Sequence, residues 1–348
     1  MSFRTRATWV TLSLSATLSA NAASLAVLLT GHAAERENVR YEAVARTCAQ
    51  QLGHQIRVLY AEDSDLRYQQ DITALVKAPP DLALVEPGWH DTGWVVRTLH
   101  AAGVPVATIR EAWHPDTPPK GWLGDWSPDD AEGGYQLAVT LAGMTGSRPA
   151  AAIALTGPRL DPLSRARQRG LHRAQEAGHI RIHEMLTAHW QETEAQRLVT
   201  RAVQYFPDTQ LIWAANDAMA LGAMEATLNL KPRPKTGGIG ASPWALSALE
   251  KGHLDALVVS RPLDAANAVI SAHRWLSHLG GPLPALKHWT VLTTRQGTRL
   301  RALLRDQNWS ALSCREPASR KVTHPLPPEV LAGDNPQSDP VPADTDGS

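Results

Sequence analysis

Apolar runs and amphipathic stripes alternate along most of the chain. Residues 24–29 are apolar almost without interruption, the pattern of a parallel strand buried on both faces. A helical pattern follows over 37–52. Strand, helix, strand, helix and strand patterns then occupy 55–60, 67–76, 82–85, 94–102 and 104–109. The rhythm resumes with a strand at 150–155, a helix at 164–178, a strand at 180–185 and a helix at 192–205. A strand at 211–214 runs into a small-residue helix, and a further strand lies near 237–240. This βαβα order predicts an α/β fold of parallel, doubly wound sheets. The strands outnumber what one such sheet normally holds, so two similar lobes are expected.

Breaks in the rhythm divide the chain. Residues 114–127 are rich in Pro, Gly and Trp and mark a first passage between lobes. Residues 325–348 hold too few apolar side chains to fold and are expected to be a disordered tail. At the other end, Arg4 and Arg6 precede a short apolar, Ser/Thr-rich stretch and Ala20-Asn21-Ala22, so residues 1–22 read as a secretory signal peptide. That stretch is shorter than the ~20 residues a spanning helix needs. A soluble, exported, periplasmic, monomeric protein without stable membrane insertion is expected.

Composition narrows the chemistry. Lys+Arg and Asp+Glu balance at 34 each, which argues against a general nucleic-acid grip. Export permits a disulfide, but Cys48 and Cys314 stand far apart in sequence, and two unpaired, partly buried thiols are expected. The 14 histidines show no paired metal-ligand spacing; His179 and His183 read as strand residues. There is no Gly-x-Ser-x-Gly elbow, P-loop or dinucleotide fingerprint. No catalytic residue, metal or cofactor is assigned, and the expectation is a non-enzyme.

The most informative stretch is Ile212-Trp213-Ala214-Ala215-Asn216-Asp217-Ala218-Met219-Ala220-Leu221-Gly222-Ala223-Met224. Asn216 and Asp217 end a strand and cap the next helix. Asn216 therefore stands at the carboxyl end of a strand, where open α/β sheets bind ligands. The stretch resembles type I periplasmic sugar-binding proteins of the ribose- and galactose-binding kind. The resemblance implies two doubly wound lobes joined by a three-segment hinge with a ligand cleft between them: the chain is expected to leave lobe I near 123–126, return near 260–262 and cross again near 288–290, so that lobe I comprises 23–124 and 262–288, and lobe II 125–261 and 289–324. It also implies ligand roles for Asn216, for Arg167 in Arg167-Gln168-Arg169-Gly170-Leu171, and for Trp190, which stands at the family's spacing before Pro207-Asp208. A guanidinium suits vicinal hydroxyls or a carboxylate, and an indole face suits a sugar ring or a cation. Substituting Trp190 or Arg167 by Ala is expected to weaken binding with little loss of stability.

The chain departs from that family in its polar clamp. In Gly238-Ile239-Gly240-Ala241-Ser242-Pro243, Gly240 replaces the family's Asp, leaving Ser242 as a candidate. Ser260 stands for the Gln or Asn before the hinge Pro, and Arg110-Glu111 for an Asp-Arg pair, with Glu111 nominated. Twelve Trp against two Phe point to an aromatic cleft instead. Trp89, Trp113, Trp126, Trp190, Trp213 and Trp244 lie near strand ends or crossovers, and Trp89 and Trp113 are the lobe I candidates. Such a cleft suits a sugar or polyol. It also suits a small cation, with Glu86 and Glu111 supplying charge. The resemblance implies delivery of the captured solute to an ABC transporter permease. A membrane sensor histidine kinase is the alternative partner, and an exported α/β hydrolase the weaker alternative. The lactose-repressor core shares the fold but needs a DNA-binding N-terminus, where this chain reads as a signal peptide.

Overall fold

The computed structural model describes residues 22–88, 91–260, 263–278 and 289–314. The expected signal peptide through residue 21, Trp89, the hinge residues Arg261 and Pro262, residue 288 and the tail lie outside the described residues.

In lobe I, β1 (Ser24–Leu29), β2 (Gln55–Tyr60), β3 (Leu82–Val85), β4 (Val106–Thr108) and β5 (Trp122–Asp125) form an all-parallel sheet in the order β2-β1-β3-β4-β5. Central β1 and β3 are covered on both faces, which is why they read as unbroken apolar runs. The pleat sends alternate side chains to opposite layers. Leu25, Val27 and Leu29 pack with Tyr41, Val44 and Cys48 of α1 (Arg36–Gln51). Ala26 and Leu28 pack with Tyr68 and Ile72 of α2 (Asp65–Lys77) and with Val96 and Leu99 of α3 (Thr92–Ala101). The Pro/Gly/Trp-rich stretch is not wholly a crossover. Its Trp122–Asp125 segment pairs with β4, and the passage to lobe II follows that strand.

Lobe II runs α4 (Asp130–Gly143), β6 (Ala150–Thr156), α5 (Pro162–Glu176), β7 (Ile180–Thr187), α6 (Glu192–Tyr205), β8 (Leu211–Ala214), α7 (Asp217–Thr227), β9 (Lys235–Ile239), α8 (Pro243–Glu250) and β10 (Ala256–Val259). The chain then returns to lobe I, where α9 (Leu263–Leu276) packs on α1. It crosses once more to add β11 (Thr290–Leu292) antiparallel to β10, completing the order β11-β10-β9-β8-β6-β7. Next, α10 (Thr298–Asp306) lies against α8. Among the described residues no helix is long and apolar enough to cross a membrane.

Two expectations are corrected at the C-terminus. Residues up to 324 were assigned to lobe II, yet the 3-10 turn Trp309–Ala311 packs on α1 of lobe I. Cys48 and Cys314 are not free thiols. They form a disulfide with Cα atoms 5.2 Å apart, and both residues are fully buried. Their separation of 266 residues conceals the contact, which exists only because the chain re-crosses to lobe I after α10. Gln51, on the same helix as Cys48, holds the returning segment with both ends of its amide. Its Nε2 donates to Leu312 O at 2.7 Å, and its Oε1 accepts from Cys314 N–H at 3.0 Å.

Candidate functional site: the inter-lobe cleft

The carboxyl ends of both sheets face a cavity of about 370 Å³ between the lobes, within the size range of small-molecule sites. Its lobe II wall is built by strand-to-helix junctions. After β6, Asp161 caps α5. One carboxylate oxygen accepts from Ser164 N–H at 3.0 Å and the other from the Trp190 indole N–H at 2.9 Å. In the second turn of α5, Arg167 is 7 % exposed; its Nε donates to Asp130 at 3.0 Å and its Nη1 to the Ala215 carbonyl at 2.6 Å. After β7, Trp190 adopts a left-handed backbone (φ 66°), rare for a bulky residue. Its ring occupies the space a side chain at Gly157 would need: a Cβ there would lie 2.2 Å from the indole. The Arg167 guanidinium lies 5.9 Å from the ring centroid, within cation–π range.

Asn216 performs two tasks at the end of β8. Its Oδ1 accepts from Met219 N–H at 2.8 Å, capping α7, while its Nδ2 donates to the Trp190 carbonyl at 3.1 Å. It is thus a brace for Trp190 as well as a cleft-lining residue. The next residue, Asp217, accepts from Ser242 N–H at 2.6 Å. Burial pushes the Asp217 carboxyl above the usual carboxylate range, and the neighbouring Glu37 charge adds to that rise.

The lobe I wall is carried by α1 and the turn after β4. Arg110 is 7 % exposed and also left-handed (φ 67°). It lies 3.1 Å from Glu86 through Nε, donates from Nη1 to Asn38 Oδ1 at 2.5 Å, and sits 5.2 Å from the Tyr41 ring centroid. Glu86 in turn accepts from the N–H and hydroxyl of Thr30 at 3.0 and 3.1 Å. Arg36, Glu37, Arg40 and Tyr41 complete this wall. Arg40 reaches across the opening and donates to the Ala241 carbonyl of lobe II at 3.4 Å.

Of the nominated residues, Arg167, Trp190, Asn216, Ser242 and Ser260 line the cavity. The Ser260 hydroxyl is buried there without a partner among the described residues. Glu111 and Trp113 do not line it. The left-handed turn at Arg110 sends that guanidinium inward, and Glu111 is left exposed. Trp113 packs edge-on against Trp122, 5.1 Å between centroids, on the lobe I face served by α2 and α3. The other tryptophans divide likewise. Trp126 and Trp213 are core residues and Trp244 is exposed. Glu86 is engaged by Arg110 and Thr30 rather than held for a cation. Tyr41 and Trp289 also line the cavity without having been singled out in the sequence, and Arg110 and Asp217, read there as the neighbour of Glu111 and as a helix cap, line it too. Trp289 is anchored by its indole N–H to the Asp129 carbonyl at 2.7 Å. Among the described residues no group of three metal-ligating side chains is assembled.

Comparison with known proteins places these walls in context. Residues 37–274 match the family described as periplasmic binding protein domain. The chain is 26% identical over 298 residues to the D-apiose import binding protein of Paraburkholderia graminis, covering 82% of this chain and 92% of that protein. It is 24% identical over 216 residues to the ribose import binding protein of Bacillus subtilis, covering 62% and 68% respectively. A crystal structure of a periplasmic sugar-binding protein from Pseudomonas fluorescens superposes with a TM-score of 0.69 at 27% identity, covering 84% of this chain and 93% of that one. These relatives are named as binding proteins, in agreement with a non-enzymatic reading.

Proposed function

The chain belongs to the periplasmic binding protein domain family, and on that premise we propose that it captures a carbohydrate between its lobes in the periplasm and presents it to an ABC importer. The observation that carries this reading is that one buried arginine from each wall, Arg110 and Arg167, lines a single cavity with Trp190. Guanidinium donors held rigid by buried carboxylates suit ring hydroxyls, and an indole face suits the apolar face of a sugar ring. Four arginines among the lining residues argue against a cationic ligand. The named ligands of the relatives, D-apiose and ribose, support the same class.

Capture needs no covalent chemistry. Closure of two lobes about the hinge hides the ligand from water and changes the outer surface that a membrane partner reads. The test is titration calorimetry of the mature protein with D-ribose, D-apiose, D-allose, L-arabinose and myo-inositol. Saturable binding of one of these, lost on Trp190→Ala, is the expected result. Heat signals absent for every sugar, with glycine betaine or choline binding instead, would replace the carbohydrate reading by a cation-binding one.

A further inference from the structure

The cleft has donors in plenty, because its arginines carry nothing but N–H groups. A polyhydroxylated ligand also needs acceptors, and two carboxylates line the cavity, Glu37 and Asp217. They differ in how firmly they are placed. Glu37 is 67% exposed on the first turn of α1. Asp217 opens α7 and is pinned by the Ser242 backbone N–H at 2.6 Å. The space it occupies is created by Gly240. That residue has φ +133°, a region L side chains rarely adopt, and a Cβ built there would lie 2.8 to 3.1 Å from the Asp217 carboxyl atoms. The missing side chain at 240 and the carboxylate at 217 are therefore one feature of the wall, a seat and its occupant.

We propose that Asp217, seated over Gly240, is a specificity-determining residue that accepts hydroxyl hydrogen bonds from the bound carbohydrate. The inference rests on the carbohydrate reading above. It assigns Asp217 the acceptor role opposite the donors of Arg167, and Gly240 the role of keeping that carboxylate in place. A sugar epimer that turns the relevant hydroxyl away would leave the Asp217 carboxylate with Ser242 but without its hydroxyl partner, and unpaired polar groups in a site are where discrimination is strong.

The experiment is titration calorimetry of wild type, Asp217→Asn and Gly240→Ala with D-ribose, D-apiose, D-allose and myo-inositol, then with the monodeoxy derivatives of whichever binds. Asp217→Asn is expected to weaken the wild-type sugar about 10- to 100-fold, the range for a hydrogen bond to a charged group. One monodeoxy derivative is expected to lose that same factor in wild type and almost none in Asp217→Asn, a coupling that a merely structural role would not produce. Gly240→Ala is expected to weaken the same sugar, with the deoxy derivative again losing little further. If Asp217→Asn fails to fold, the Gly240→Ala and wild-type deoxy series decide the matter. Wild-type binding with no difference between variants in any deoxy series overturns this inference and leaves the carbohydrate reading standing. Absence of wild-type binding across the sugars overturns both.

Discussion

The two arginines of the cleft are each half of a buried ion pair, and that governs what their removal does. Arg167 and Asp130 have side chains only 8% exposed. Truncating one partner leaves the other charge buried without compensation, which costs about 3–5 kcal/mol in comparable pairs. Arg167→Ala is therefore expected to lower the melting temperature markedly as well as to weaken binding, contrary to the small stability effect expected from sequence. Arg167→Ala combined with Asp130→Ala is expected to recover much of the stability and none of the affinity, a split that denaturation and calorimetry on the same preparations would reveal. Asp217 presents the opposite case. Burial raises its pKa, so its ionised form is disfavoured in the folded state. The folded protein then holds the proton more tightly than the unfolded chain, and stability gains as pH falls through the folded pKa towards the unfolded value. Asp217→Asn is expected to raise the melting temperature of the ligand-free protein at neutral pH and to flatten that acid-side gain. A melting temperature lowered by the substitution would mean that the carboxylate's bond to Ser242 outweighs its desolvation.

At the level of elements, the cleft is assembled by helix starts, and Asp161 shows how one cap serves two purposes. It closes the first turn of α5 and holds the Trp190 indole. Asp161→Ala is expected to cost ~1 kcal/mol for the lost cap, roughly 1–2 °C in a chain of this size. Ligand affinity should fall as well, because Trp190 is released; Asp161→Asn should retain the cap and part of the affinity. Such junctions were legible in the sequence where local rules act alone. The apolar run into Asn216-Asp217 marked β8 and α7, and the helical pattern over 164–178 marked α5, where Gly170 lets α4 approach so closely that a Cβ would lie 1.9 Å from Ala131 O. What remained hidden depends on handedness and on distant packing. Arg110 and Glu111 are adjacent, and only the left-handed turn decides which of them faces the cavity. Trp113 and Trp190 both follow strands, yet Trp113 meets Trp122 on the far layer of lobe I, a contact set by β5 pairing with β4. Trp289 enters from the last crossover, which no local pattern assigns to the cleft.

The whole molecule carries a tie between its lobes that a three-segment hinge does not have. After β11, α10 is docked on lobe II, with Arg305 and Glu250 3.1 Å apart. Only Gln307 and Asn308 separate α10 from Trp309, which is 8% exposed where its 3-10 turn packs on α1. Leu312 is buried there too, and Cys314 is bonded to Cys48 of α1, the helix that also supplies Arg36, Glu37, Arg40 and Tyr41 to the cavity. A two-residue link between a segment fixed on lobe II and a segment bonded to lobe I limits how far the lobes separate, since extended chain spans at most ~3.3–3.6 Å per residue. The disulfide also closes a loop of most of the chain, and cross-links of this kind typically contribute ~2–4 kcal/mol. Replacing Cys48 and Cys314 together by Ala is expected to lower the melting temperature and to widen the ligand-free protein in small-angle scattering. The sugar-bound form should keep its dimensions, because closure brings the lobes together with or without the tie. A wider free state must travel further to close, so affinity should fall modestly while the order of preference among sugars stays the same. Equal scattering profiles for the oxidised and Cys-free proteins, with equal melting temperatures, would show that the packing of Trp309 and Leu312 holds the segment by itself and that the covalent bond adds nothing to the hinge.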